Sequence, residues 1–146
     1  MFTALNPDFD TDLKRGLQAM PYFQWLGLKF ERVAPGEVDI LMPFRPEITF
    51  DGKAVQAGPV GALIDFSAMS AAFTLVSPGV FLSTFDYSVK CVAPAIGEAF
   101  LGRGQVVSNG KSLIVARADV YAIAKGNQTL VATGLATARV PMRVAA

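Results

Sequence analysis

Histidine is absent from this sequence of 146 residues, and cysteine occurs once, as Cys91. Without histidine, a Ser-His-Asp or Cys-His nucleophile system cannot form in its usual arrangement. A zinc site built on histidines is excluded as well, and one cysteine alone does not hold zinc. Any chemistry must therefore use carboxylates, amides, hydroxyls or backbone groups, and we predict no metal site and no separate cofactor.

Charged residues are scarce too: they make up 17% of the chain, against 52% hydrophobic residues, and the net charge is +1. No basic run is longer than Lys14-Arg15, so we predict no nucleic-acid partner, which would need a concentrated basic patch. No apolar stretch reaches about 18 residues without a charge or a proline, so we expect no membrane span and no membrane partner. The apolar excess points to burial in subunit contacts or in a ligand pocket.

The lone cysteine has no partner for an internal disulfide, which is typical of proteins from reducing compartments. The first residues lack the charged start and apolar core of a signal peptide, so we expect a cytoplasmic protein. The length fits one domain over residues 1–146, and no repeat, linker or low-complexity segment divides it.

Hydrophobic periodicity predicts an α+β fold. An apolar stripe at helical spacing indicates a first helix that Pro21 ends, and period-two alternation or short apolar runs predict strands over residues 28–33, 38–42, 83–92, 98–107, 113–123 and 129–140. Turns at Asn109-Gly110-Lys111 and Lys125-Gly126-Asn127 are typical of hairpins, so we expect the last four strands to be linked consecutively as an antiparallel sheet.

The remaining long segment, 58–76, predicts a helix that begins near Pro59 and ends before Pro78. Nearly all of its residues are apolar or small, so the helix should be buried on most sides. We therefore predict a long antiparallel sheet wrapped around a central buried helix. An ordinary two-layer sandwich of helices on a sheet explains the pattern nearly as well.

Asp65 is the only ionisable residue between Lys53 and Asp86, and it lies in the middle of this apolar helix. An unpaired buried carboxylate is costly, so Asp65 needs hydrogen-bond partners or a function. Buried acids with perturbed pKa values concentrate at active sites, which favours a catalytic carboxylate. The alternative is that Asp65 only accepts hydrogen bonds that fix the packing.

The start of the helix, Gln56-Ala57-Gly58-Pro59, offers unpaired backbone N–H groups that can stabilise an oxyanion, and we expect Ala57 and Gly58 to be the donors. Ala57 and Asp65 are about 12 Å apart along one helix. An oxyanion donor must lie about 3 Å from the carbonyl oxygen of a substrate, and an attacking carboxylate must lie similarly close to the carbonyl carbon. If both act, they must come from two subunits.

These residues resemble a known family. The segment from Gln56 to Asp65 is similar to the His-Gly-Gly…Asp/Glu segment that opens the central helix of hotdog-fold acyl-CoA thioesterases, and most similar to the phenylacetic-acid-degradation type. The resemblance extends over most of the chain through Leu26-Gly27-Leu28, Val92-Ala93-Pro94 with Gly97, and Ser108-Asn109-Gly110-Lys111-Ser112. No single motif is specific, whereas their order and spacing are.

The resemblance implies a fold, an activity and a site. Asp65 matches the nucleophile or general base, the Ala57 amide matches the oxyanion donor, and the site is shared between subunits of a homodimer or a dimer of dimers. Gln56 takes the histidine position, and Met69 stands where many relatives have Thr or Ser. Ser70 and Ser67 are the two candidates to replace that hydroxyl. Substrate-binding positions are implied at Thr49, Met69, Ser70, Asn109, Gly110, Lys111 and Ser112, with Lys111 facing a phosphate of coenzyme A.

Three functions remain open. A thioesterase would use Asp65 either to attack the carbonyl or to activate water. A non-catalytic acyl-CoA-binding protein is favoured by the absent histidine and by Met69, and is opposed by Asp65. A hotdog dehydratase ranks last because it needs a histidine. The aromatic residues that could line an acyl pocket or belong to the core are Phe23, Trp25, Phe44, Phe50, Phe66, Phe73 and Phe81.

Overall fold

The structure is a computed structural model that describes residues 1–142. Within these residues, three α-helices and six strands follow one another, with one short 3-10 helix. In order they are α1 (Phe9–Gln18), α2 (Pro21–Trp25), β1 (Lys29–Ala34), β2 (Glu37–Pro43), the 3-10 helix (Pro46–Ile48), α3 (Ala57–Phe73), β3 (Ser83–Cys91), β4 (Ala99–Asn109), β5 (Leu113–Ala124) and β6 (Asn127–Arg139).

The six strands form one antiparallel sheet in the order β1-β2-β4-β5-β6-β3. Hairpins join β4 to β5 and β5 to β6, as predicted, but β3 pairs with β6 at the edge of the sheet and not with β4. The prediction of four consecutively linked strands is therefore wrong. Residues 92–98 are long enough to pass the three strand spacings, about 14 Å, that separate β3 from β4.

The central helix α3 lies in the concave face of this sheet and is buried around most of its circumference, including Val60, Leu63, Ile64 and Ala71. Glycines on β4 allow the close approach. A Cβ atom at Gly104 would overlap the carbonyl oxygen of Ser67, and one at Gly102 would overlap the Ser67 hydroxyl. A long antiparallel sheet wrapped around a buried helix is the hotdog architecture predicted above.

Two short helices cover the open side of α3. Leu13 of α1 is fully buried, while Lys14 pairs with Asp10 on the outer face at 2.8 Å. The sequence indicated that Pro21 ends α1, and α1 does end at Gln18; Pro21 also begins α2, where the missing N–H of a first-turn proline costs nothing. Within residues 1–142, no helix is long and apolar enough to cross a membrane.

Candidate active site

Asp65 projects from the middle of α3 on the side that faces away from β4. Its side chain is partly buried, and its Oδ1 accepts a hydrogen bond of 2.8 Å from the hydroxyl of Thr84 on β3. Burial raises the pKa of Asp65 above its usual value, and the hydrogen bond from Thr84 opposes this shift only in part. The carboxyl group therefore holds a proton more tightly than an ordinary surface aspartate does.

A cavity of about 400 Å³ opens beside this carboxyl group. Most of its wall is apolar and comes from α1, α2 and the residue before it, α3, and the segment before β3: Leu13, Leu17, Met20, Tyr22, Phe66, Met69, Phe73, Phe81 and Leu82. Asp65, Thr84 and Ser70 are among the few polar residues that line it. Asp12 also lines it, but its carboxylate is paired with Arg15 and Asn6. A largely apolar cavity with Asp65 in its wall suits an acyl group whose reactive carbon lies at Asp65.

Met69 and Ser70, both predicted to bind substrate, lie in this cavity. Ser70 is buried, and its hydroxyl has no hydrogen-bond partner within residues 1–142. Ser67, the second candidate to replace a family hydroxyl, packs against the glycines of β4 and is not a lining residue. Of the two serines, only Ser70 is thus placed to contact a ligand.

The aromatic residues separate into three groups. Those that line the cavity are Phe66, Phe73 and Phe81. Phe23 is buried in the core and Phe44 is partly buried against it, whereas Trp25 and Phe50 are exposed. Periodicity in the sequence did not distinguish these groups.

The start of α3 is held by Gln56, whose side-chain oxygen accepts a hydrogen bond of 2.7 Å from the N–H of Gly58. This bond occupies one of the two amides predicted to bind an oxyanion. The N–H of Ala57 has no acceptor among the described residues, and Pro59 has no N–H. Ala57 is therefore the amide at this helix start that remains available to a ligand.

Ala57 and Asp65 do not meet within one chain. Ala57 lines a different cavity of about 260 Å³, together with Val60, Cys91 and Val131. Asp65 is not among the residues around that cavity, and Ala57 is not among those around the cavity of Asp65. The separation agrees with the distance that a straight helix imposes.

The other predicted binding residues lie away from the Asp65 cavity. The hydroxyl of Thr49 donates to the carbonyl of Pro46 at 2.7 Å and accepts from the N–H of Gly52 at 2.8 Å, so in this chain it closes a loop. The hairpin of Asn109, Gly110, Lys111 and Ser112 is exposed and joins β4 to β5. The N–H of Val106, on β4 before the hairpin, donates to the carbonyl of Gly36, and the N–H of Gly36 donates to the hydroxyl of Thr74 just after α3. The hairpin therefore lies beyond the C-terminal end of α3, opposite to Ala57.

Thr84 and the wall supplied by α1 were missed in the sequence. The alternation along β3 placed Thr84 on a polar face, but no spacing rule relates a strand residue to a helix residue 19 positions away. Gly16 and Leu17 of α1 likewise reach the cavity only through the tertiary fold. Among residues 1–142 no group of three or more Asp, Glu, Cys or His could hold a metal ion.

Comparison with known proteins supports the fold and the family. No protein-family model matches the chain. A thioesterase family protein from Silicibacter pomeroyi is 30% identical, with 90% of this chain and 97% of that chain covered and a TM-score of 0.88. The chain therefore belongs to the thioesterase family.

More distant proteins share similarity with this chain as well. A phenylacetic acid degradation-related protein from Ralstonia eutropha is 23% identical over 90% of this chain and 98% of its own, with a TM-score of 0.76, which shows the shared fold. A candidate esterase from Saccharolobus solfataricus is 28% identical over 117 residues, or 79% of this chain and 74% of its own length. The hotdog fold predicted from the sequence is confirmed.

Proposed function

We propose that this protein is an acyl-CoA thioesterase in which Asp65 is the nucleophile or the general base. The observation that carries the proposal is the partly buried carboxyl group of Asp65, held by Thr84, at the edge of an apolar cavity of about 400 Å³. Membership of the thioesterase family supplies the reaction class. The similarity to a phenylacetic acid degradation-related protein supports that subtype as the proposed one.

The two routes differ in what attacks the carbonyl carbon. In the first, Asp65 accepts a proton from water as the water oxygen bonds to the carbon, and the protonated Asp65 then returns the proton to the departing thiolate. In the second, an oxygen of Asp65 forms an anhydride, the thiolate leaves, and water hydrolyses the anhydride. Both routes release an acid and a thiol, and the raised pKa makes Asp65 a stronger base for the first.

Charge develops on the carbonyl oxygen in either route, and we propose that the N–H of Ala57 from a partner subunit stabilises it. The N–H has no acceptor within its own chain, and it lies against a different cavity from Asp65. The shared site requires at least a dimer. The proposed chemistry uses a carboxylate, an amide and water, so it includes no cofactor or metal.

The edge strand β3 supports a dimer in which two sheets join. It pairs with β6 on one side, and no strand within residues 1–142 pairs with its other side. Its side chains are largely exposed, including 64% of Phe85 and 50% of Tyr87. A free edge with exposed aromatic residues is typical of a surface that another strand covers. We propose a dimer across β3, doubled to a dimer of dimers.

The rest of the substrate is assigned by the same proposal. Met69 and Ser70 contact the acyl group, and the hairpin around Lys111 contacts the nucleotide of coenzyme A bound to a neighbouring subunit. Thr49 is a weaker candidate because its hydroxyl already closes a loop. The single exposed Cys91 fits a reducing, cytoplasmic location.

A second candidate is a protein that binds acyl-CoA without hydrolysing it. The cap between Gln56 and Gly58 favours this function, because it removes one of the two amides that would bind an oxyanion. Thiol release separates the two functions. The thioesterase should release free thiol from some members of a panel of aliphatic and aromatic acyl-CoAs, whereas the binding protein should release none.

Asp65→Asn tests the role of the carboxylate, because it keeps the shape of the side chain and removes the charge. Turnover should fall by about 10²–10⁴-fold, the usual worth of a positioned base. Thiol release by the purified variant measures this loss. Unchanged turnover would mean that Asp65 only fixes the packing.

The stability of the same variant supplies the control. Because the pKa of Asp65 is raised in the folded state, the ionised carboxylate lowers the free energy of unfolding as pH rises from the unfolded pKa through the folded pKa. Asp65→Asn should therefore be more stable than the wild type at neutral pH, and the gain should vanish at a pH below both pKa values. Thermal melts at the two pH values measure the difference.

A further inference from the structure

Arg45 lies in the loop between β2 and the 3-10 helix, and its guanidinium forms no ion pair with a carboxylate of residues 1–142. The Nε and Nη2 atoms of its guanidinium are buried, and neither forms a hydrogen bond within residues 1–142. No carboxylate of these residues lies within 4.0 Å of it. Since an arginine side chain is always charged, its buried donors favour an anion that the described part of the chain does not supply.

Other arginines differ in this respect. Arg15 pairs with Asp12 at 2.7 Å, Arg103 lies 4.0 Å from Asp39, and Arg117 donates to Gln105 at 2.8 Å. The last two belong to a polar group on the outer face of the sheet, where acids and bases alternate. Arg45 thus differs from them in having two buried guanidinium nitrogens without a hydrogen-bond partner within residues 1–142.

The guanidinium of Arg45 stacks on Trp25, with 4.7 Å from its central carbon to the ring centre. Trp25 in turn stacks on Tyr22, with ring centres 6.3 Å apart, and about half of each side chain is exposed. We call Tyr22 and Trp25 the aromatic shelf. The ring centre of Tyr22 also lies 6.1 Å from that of Phe66, and Tyr22 and Phe66 both line the Asp65 cavity. A continuous surface therefore leads from Asp65 to Arg45.

Arg45 and the far end of the cavity lie toward opposite ends of α3 from Asp65. The cavity follows α3 toward Phe73, near the C-terminal end of the helix. Arg45 belongs to the loop whose Ile48 carbonyl accepts a hydrogen bond from Gln56 at the start of α3. A thioester whose carbonyl lies at Asp65 would extend its acyl group into the cavity and its thiol carrier along the shelf.

We propose that Arg45 binds a phosphate of the coenzyme A carrier and that the aromatic shelf supports the arm between this phosphate and the thioester; the inference rests on the proposed function. Arginine presents a planar fork of donors that matches phosphate oxygens. Exposed aromatic side chains offer apolar contact area without losing much conformational entropy. This assignment differs from the hairpin around Lys111, which lies at the other end of the sheet.

Binding is measured through Trp25, which is the only tryptophan of the chain and so reports on the site directly. The wild type is titrated with coenzyme A and with pantetheine, which has the same thiol arm and no phosphate. Coenzyme A should change the Trp25 emission in a saturable way. The affinity derived from this titration should be at least about ten-fold higher for coenzyme A than for pantetheine. Equal affinities for the two ligands would overturn the proposal, as would no response to coenzyme A.

Arg45→Met removes the charge and keeps most of the apolar length. It should weaken the binding of coenzyme A by about ten- to a hundred-fold and leave the affinity for pantetheine unchanged. The matched control Arg117→Met, on the outer face of the sheet, should change neither affinity. If Arg45→Met does not fold, Arg45→Lys, which keeps the charge and loses the fork, should give a smaller loss in the same direction. A loss with Lys111→Met and none with the Arg45 variants would place the phosphate at the hairpin and overturn the proposal.

Kinetics separate phosphate binding from a packing role. Arg45→Met should raise KM for an acyl-CoA about ten-fold or more and should not change kcat. It should not change KM for the corresponding N-acetylcysteamine thioester, which has no phosphate. Equal increases for both substrates, or a halved molecular mass in light scattering, would assign Arg45 to packing or to the subunit contact. If the wild type hydrolyses neither substrate but Trp25 still distinguishes coenzyme A from pantetheine, the proposed function fails and the phosphate site stands.

Discussion

The middle and the start of α3 differ in what they need from the rest of the protein. In the middle, Asp65 is enclosed by α1 and β3, and this enclosure raises its pKa. At the start, Ala57 is exposed and offers only an N–H with no acceptor in its chain. An acid becomes a base for catalysis only when distant segments enclose it, whereas an oxyanion donor needs only the end of a helix. A rigid helix keeps the two apart, so in the proposed shared site each region supplies one half.

Ala57→Pro tests the start of α3, since it removes the N–H and little else. Ala57 is the first residue of α3, where proline is well tolerated, and Gln56 already has the extended ψ of 151° that a following proline requires. The fold should survive, and kcat should fall by about 10²–10³-fold with a much smaller change in affinity. Steady-state kinetics on a variant with unchanged circular dichroism measures the effect.

Ala57→Ser is the control, because it changes the side chain and keeps the N–H. It should retain most of the turnover. A folded Ala57→Pro protein with wild-type thiol release would place the oxyanion donor elsewhere.

Mixed dimers test whether the two regions belong to different subunits. A dimer of one Asp65→Asn chain and one Ala57→Pro chain has one site with both native groups and one site with neither. Random mixing of the two inactive variants should therefore restore about a quarter of the wild-type activity, and mixed dimers isolated through both tags should have about half. Co-expression with two affinity tags, followed by thiol-release assays, measures the recovery. No recovery in isolated mixed dimers, or a stable monomer in light scattering, would contradict the shared site.

Thr84→Val sharpens the account of the middle of α3. It removes the hydrogen bond that lowers the pKa of Asp65, so that pKa should rise further. Because catalysis needs the ionised carboxylate, the acidic limb of the rate profile should move to higher pH. Turnover below the plateau should fall by about ten-fold. Thr84→Ser keeps the hydroxyl and should keep the wild-type profile, and a profile that valine does not move would exclude a role for this contact.

Gln56→Ala should have the smallest effect on activity and a measurable one on stability. Its side chain caps Gly58 in place of a substrate, and the loss of an N-cap typically lowers the free energy of unfolding by about 1 kcal/mol. Turnover should fall only a few-fold. Chemical denaturation measures the first effect, and Gln56→Asn, with another capping amide, should recover part of the stability. A loss of turnover above about a hundred-fold would mean that Gln56 contacts the reacting groups.

The local patterns of the sequence were sufficient for α1, α3, the six strands and the candidate acid, but not for α2 or the 3-10 helix. Alternation along residues 113–123 and the uninterrupted apolar run around Asp65 predict β5 and α3, because strand and helix periods are properties of neighbouring residues. The same locality explains the error at β3. Residues 92–98, which follow β3, contain no signal for the strand beside which β3 lies. That choice depends on how the whole sheet packs around α3.

By itself, the sequence determined that this protein has no histidine chemistry, that its one acid in an apolar helix is Asp65, and that Ala57 lies too far along the same helix to act with it. These conclusions need only composition and the rise of a helix. Tertiary structure alone decided that Thr84 holds Asp65, that α1 encloses the cavity and that Gln56 occupies the amide of Gly58. It also decided that the guanidinium of Arg45 stacks on Trp25 while its Nε and Nη2 are buried without a hydrogen bond within residues 1–142. The physical reason is that burial and hydrogen bonding depend on which distant segments meet, and sequence spacing does not encode those contacts.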